Sequence, residues 1–176
     1  MQKYSPPAGR VGLRDGLISP RIASQSHSQS LLVQAFILLA TLWAGILFGV
    51  DFIATPAKFL SPIASLPIEI DIGRRTFGVF NRVEDLLAAL LLSVTIAMPR
   101  VRRRRKMLLL LPIAIFAIKS FWIWPILDLD AIRVVAGLPS TEENLHSVYV
   151  GLVIGQVALL LSGSIGVLRR TRIAIP

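Results

Sequence analysis

The chain has 176 residues, 54% of them apolar, yet its formal net charge is +9. That length fits one domain, and this pairing of apolar content with basicity suits membrane spans flanked by basic cytoplasmic segments better than a soluble fold. With no Cys, disulfides, thiolate nucleophiles and Cys-pair redox chemistry are excluded; with two His, one in a polar stretch, an intrachain bis-His haem is disfavoured.

Residues 1–30 are rich in Ser, Pro, Gln and Arg and read as a disordered, basic cytoplasmic tail rather than a secretory signal. Residues 31–55 form the first expected span, long enough for a hydrocarbon core of ~30 Å, with Pro56 ending it. Gly45 and Gly49 give a GxxxG spacing that predicts a close helix contact. Leu66-Pro67 then opens a short amphipathic segment expected at the interface, followed by Arg74-Arg75 and a second span over 77–98. Arg100–Lys106 reads RVRRRRK; between two apolar runs it is a cytoplasmic anchor facing anionic lipid heads, not a nucleic-acid site. The third span covers 107–126, with Trp122 and Trp124 as interfacial anchors and Pro125 near its end. Asp130–Gly137 predicts a short helix stopped by Gly, and Ser140 with Glu143 matches a capping box opening a fourth span over 141–168. Residues 169–176 form a basic C-terminus.

The tail, the RVRRRRK loop and the C-terminal segment hold thirteen of the nineteen Lys and Arg, and nine of the ten acids fall toward the other side. The positive-inside rule then predicts a bacterial inner-membrane protein with both termini cytoplasmic. A shift of 69 residues superposes Phe52 on Phe121, Pro56 on Pro125, and the run Ala89–Ser93 on Ala158–Ser162. Such a match suggests two helical hairpins in a parallel repeat, or chance agreement between Leu-rich segments.

Ionisable groups inside a span cost several kcal/mol unless paired or wetted, about 3 kcal/mol each on insertion scales. Helical spacing places Asn81, Glu84 and Asp85 on one broad face, with Arg82 elsewhere on that helix. Glu142, His146, Tyr149 and Gln156 form a stripe on the fourth span, while Lys119 and Asp51 lie near the exits of the third and first. The candidate ligand site is Asp51, Asn81, Arg82, Glu84, Asp85, Lys119, His146 and Tyr149. Three readings stay open: buried ion pairs that fix helix register, an outward-facing pocket for a ligand or ion, or a catalytic or metal site using His146 with Glu84, Asp85 or Glu142.

The motifs FIATPAKF, LPIEIDIGRRTFGVFNRVE and LHSVYVGL resemble those of a family of small bacterial inner-membrane proteins with four predicted spans and no assigned activity. The resemblance covers most of residues 40–165 and implies fold and location only. The expectation is therefore an all-α, four-helix membrane bundle that binds or passes a small ligand or ion. It needs no cofactor, is non-enzymatic, and has the bilayer and a homo-oligomer or complex subunit as its partners. The alternatives are a membrane enzyme or metal-binding accessory, and a structural subunit.

Overall fold

The computed structural model describes residues 20–60, 62–98 and 101–173, with side chains placed between 29 and 169 except that of residue 143. Among these residues there is no strand. Six α-helices follow in order: α1 Pro20–Leu47, α2 Thr55–Lys58, α3 Leu66–Ala97, α4 Arg103–Ile118, α5 Trp124–Val135 and α6 Glu143–Ile173. π-Helical turns at Phe48–Ala54 and Lys119–Ile123 join α1 to α2 and α4 to α5, so the chain forms four long helical runs. Of the expected tail, residues 1–19 lie outside the described residues, and α1 already starts at Pro20.

Three runs are long and apolar enough to cross a membrane: Gln29–Lys58, Arg103–Val135 and Asn144–Arg169. The chain has the makings of a helical membrane protein. α3 is as long, at 32 residues, but charges crowd its first half. Instead of a separate interfacial segment followed by a span, α3 is one unbroken helix. Asp71 holds it together there, pairing with Arg75 at 2.8 Å and Arg74 at 3.3 Å, one turn away in each case. Pro67 sits in its first turn, where a missing N–H costs nothing.

Neither Pro56 nor Pro125 ends its helix, contrary to the sequence expectation. A proline in mid-helix removes one backbone bond and crowds the preceding turn. Here a π turn precedes each one. The N–H of Thr55, just before Pro56, reaches Val50 O, and that of Trp124, just before Pro125, reaches Lys119 O. Each bond spans five residues instead of four, widening the turn so that the helix continues. The third run therefore extends to Val135, where Gly137 (φ 83°) stops it. Leu138 N–H reaches Arg133 O and Gly137 N–H reaches Val134 O, a left-handed glycine cap.

Ser140 Oγ, the expected cap, accepts the Glu142 N–H at 3.4 Å. Ser140 Oγ donates to Asp130 Oδ2 at 2.7 Å, and Thr141 donates its N–H and hydroxyl to Asp130 Oδ1. The α5 carboxylate thus claims the loop, and Glu142 O receives the first N–H groups of α6.

The runs pack in a ring: α1 against α3 and α6, α4 against α3 and α6. Buried residues follow helical spacing, as in Phe36, Ala40, Trp43 and Leu47 on α1 and Tyr149, Val153, Gln156 and Leu160 on α6. Large apolar side chains also cover the outside, among them Leu38, Val79, Leu86, Ile96, Leu108, Phe121 and Ile154. An apolar exterior around a partly polar interior fits lipid as solvent. The expected GxxxG contact is absent inside the bundle: a Cβ on Gly45 or Gly49 would meet nothing within 4 Å. Gly163 instead makes the close approach, with Leu109 and Phe36 in van der Waals reach of where its Cβ would lie.

Candidate functional site

All four runs contribute to one buried centre around Glu84. Trp43 of α1 donates its indole N–H to Glu84 Oε1 at 3.0 Å. Lys119, first residue of the second π turn, places Nζ 3.5 Å from the same oxygen, and Gln156 Nε2 of α6 also lies 3.5 Å away. Glu84 and Lys119 are each 1% exposed, and Trp43 and Gln156 are fully buried. Such a pair is costly unless neighbours support its carboxylate, and the indole and amide both donate to Glu84 Oε1. Lys119 Nζ also sits 5.2 Å from the Tyr149 ring centroid, over its face.

A second carboxylate adjoins this centre. Asp51 lies in the first π turn, within the electrostatic reach of both Lys119 and Glu84. Its Oδ2 is buried without a hydrogen-bond partner among the described residues, and so is Gln156 Oε1. Two carboxylates therefore share one ammonium, and two buried acceptors lack a donor.

Asp51 lines a chamber of about 350 Å³ with Phe52, Thr55, Phe59, Phe77, His146, Tyr149 and Val153. Beyond it, toward the end of the bundle opposite the Arg102–Lys106 turn, lies a cavity of about 510 Å³. Thr55, Phe59, Phe77, His146 and Tyr149 line both, so the two spaces share a wall at those residues. Lys58, Arg74, Asp128, Asp130 and Glu142 supply the charges of the larger cavity. Arg74 bridges Asp71 and Asp128, which ties α3 to α5 across its wall.

The eight candidate residues separate into levels. Glu84, Lys119 and Tyr149 are buried together. Asp51 and His146 line the chamber, with His146 itself exposed. Asn81 donates to Ser120 Oγ at 2.8 Å, linking α3 to the second π turn. Arg82 and Asp85 are exposed on α3, so Asp85 does not share the inward face of Glu84. Glu84 and Lys119 line neither of these two spaces; Tyr149 stands between His146 and the buried pair, touching the chamber on one side and Lys119 on the other. Among the described residues no three His, Asp or Glu side chains group as a metal cage. Trp43 was missed in the sequence, although an indole N–H in mid-span always needs an acceptor.

The 69-residue shift relates more than letters. It carries the Thr55-to-Val50 bond onto the Trp124-to-Lys119 bond. It also carries Thr95, whose hydroxyl donates to Leu91 O, onto Ser164, whose hydroxyl donates to Leu160 O. Ala40 and Leu109, Leu47 and Phe116, Phe80 and Tyr149, Leu91 and Leu160, and Met98 and Val167 are buried as matching pairs. The polar centre breaks the match: Trp43 falls on Pro112, Val50 on Lys119, Glu84 on Val153 and Leu87 on Gln156. Set against known proteins, the chain matches no family model, no curated protein and no solved structure.

Proposed function

We propose that this chain is a four-span protein of a bacterial inner membrane that binds or passes a small ligand or ion through a polar site reached from the outer face. In this reading α3 also crosses the membrane, as the second of four spans, and both termini are cytoplasmic. Support for α3 as a span comes from Glu84, which is hidden inside the ring, while Val79, Leu86 and Ile96 of the same helix face outward. The exposed Arg102, Arg103 and Arg104 sit where anionic lipid heads of the inner leaflet would meet them. The matched backbone bonds and burial support a parallel repeat of two hairpins, with the site at their junction.

The observation that carries the reading is Asp51, which has one donorless buried oxygen and lines a chamber that shares a wall with an open cavity. A carboxylate used only to hold helices together would be fully paired; one bordering accessible space is placed to meet something that arrives. The chain lacks Cys, so single thiols can be introduced cleanly. In V150C, on the chamber wall, a small neutral thiosulfonate should label the folded protein. In L91C, fully buried in the core, it should not. Equal resistance of both positions would remove the accessible site. C-terminal reporter fusions active only in the cytoplasm check the topology.

A second reading, a subunit of a membrane complex, draws on the open space at Gly45, Gly49, Gly151 and Gly155. It predicts a stoichiometric partner or second copy in gentle detergent, and a clean monomer counts against it.

A further inference from the structure

We propose that the ligand of this chamber is a small organic ammonium ion, held by Asp51 beneath a set of aromatic rings. This rests on the accessible site proposed above and assigns its chemistry. Charge narrows the choice first. Asp51 lines the floor of the chamber, and behind it Asp51 and Glu84 set two acids against the single amine of Lys119. In the cavity above, Asp128, Asp130 and Glu142 outnumber Lys58 and Arg74. Lys58 is itself opposed by the buried Glu69 in its field. Acids therefore outnumber bases from the open end to Asp51, and low-dielectric walls focus the field of such a route on cations. An anion meets repulsion at both levels.

The walls narrow it further. Phe52, Phe59, Phe77 and Tyr149 surround the chamber, and two of these rings already hold ammonium groups of the protein. Lys58 Nζ lies 4.7 Å from the Phe59 centroid and Lys119 Nζ 5.2 Å from that of Tyr149. Rings so placed favour a cation whose hydration shell has been shed, and quaternary ammonium groups lose theirs most cheaply. A divalent metal would overcompensate one excess charge, and it would need about six oxygen ligands where Asp51 offers one carboxylate. A bare alkali ion would leave a chamber of about 350 Å³ largely unfilled. A monocation with apolar substituents satisfies the carboxylate, the rings and the volume together.

The test uses full-length V150C in lipid nanodiscs. Labelling rates are measured for a trimethylammonium-ethyl thiosulfonate, its sulfonate counterpart and a neutral analogue, each normalised to a free thiol. The cationic reagent should react roughly tenfold or more faster than the anionic one. Benzyltrimethylammonium should protect the thiol saturably, and its neutral isostere and benzoate should not. D51N should abolish both the charge preference and the protection, while neutral labelling continues. Neutral labelling with no charge preference and no protection would overturn the ammonium assignment and leave the accessible site standing. Protection by benzoate would overturn it in favour of an anion. Absence of neutral labelling at folded V150C, and at folded T55C as a second position on the same wall, would remove the site and this assignment with it. Helicity and a monodisperse elution profile establish folding in every case.

Discussion

The first hairpin, α1 to α3, and the second, α4 to α6, use matching buried positions, matching π turns before matching prolines, and matching hydroxyls turned back onto their own helices. They differ in charge. Both acids in the field of Lys119, Asp51 and Glu84, come from the first hairpin, and the lysine and the amide come from the second. Neither half could hold its share alone, because an unpaired charge at membrane depth costs about 3 kcal/mol or more. The scaffold is shared and the chemistry is split, so the polar centre also fixes which faces of the hairpins meet.

The largest way to break that division is to remove one partner. K119M leaves Glu84 buried against an indole and an amide, and should lower stability by about 3–5 kcal/mol. The double variant E84Q/K119M should recover most of that loss, since a neutral amide needs no counter-ion. Thermal unfolding in a fixed detergent reads both. A double variant no more stable than K119M would mean that Lys119 acts mainly through packing on Tyr149, not through Glu84.

A smaller effect separates Leu87 from Gln156, which the shift places on each other and which are both buried. L87Q places an amide at a buried apolar position, with an expected cost of about 1–3 kcal/mol. Q156L removes one donor to Glu84, which keeps Trp43 and Lys119, and also removes the donorless Oε1. Its cost should stay within about 1 kcal/mol. The reverse order would place the amide among the groups that stabilise the bundle rather than those that shape the site.

The contrast between halves also shows what the sequence could reveal. Long apolar runs, the burial of Glu84 and Lys119, and the residue matches across the shift were all legible, because helix length and periodicity follow from the bilayer and the backbone. The prolines misled. Pro56 and Pro125 look like helix ends, since a π turn leaves no mark in residue type and is decided by backbone bonding. The bond from Ser140 to Asp130 left no mark in the sequence, since that acceptor is ten residues away in the chain. Face assignment was good to about one residue: Glu84 points inward and the adjacent Asp85 outward, a difference fixed by where α1 and α4 lie. Burial was readable; that Trp43 and Gln156 would join Glu84 was not, because such partners depend on packing between runs.

The smallest test sharpens the comparison where the halves agree. Thr95 and Ser164 are both buried, and each hydroxyl donates to the carbonyl four residues back, at 2.7 Å and 2.9 Å. In an α-helix that carbonyl already accepts a backbone N–H, so losing the hydroxyl orphans nothing. T95V and S164A should each change stability by about 0.5 kcal/mol or less, and by equal amounts. The same detergent unfolding measurement decides it. Equal small changes mean that these hydroxyls belong to the shared scaffold. A loss above about 2 kcal/mol at one position alone would mean that its hydroxyl serves a partner from another run, and the inner half of the bundle would then be as asymmetric as the charged half.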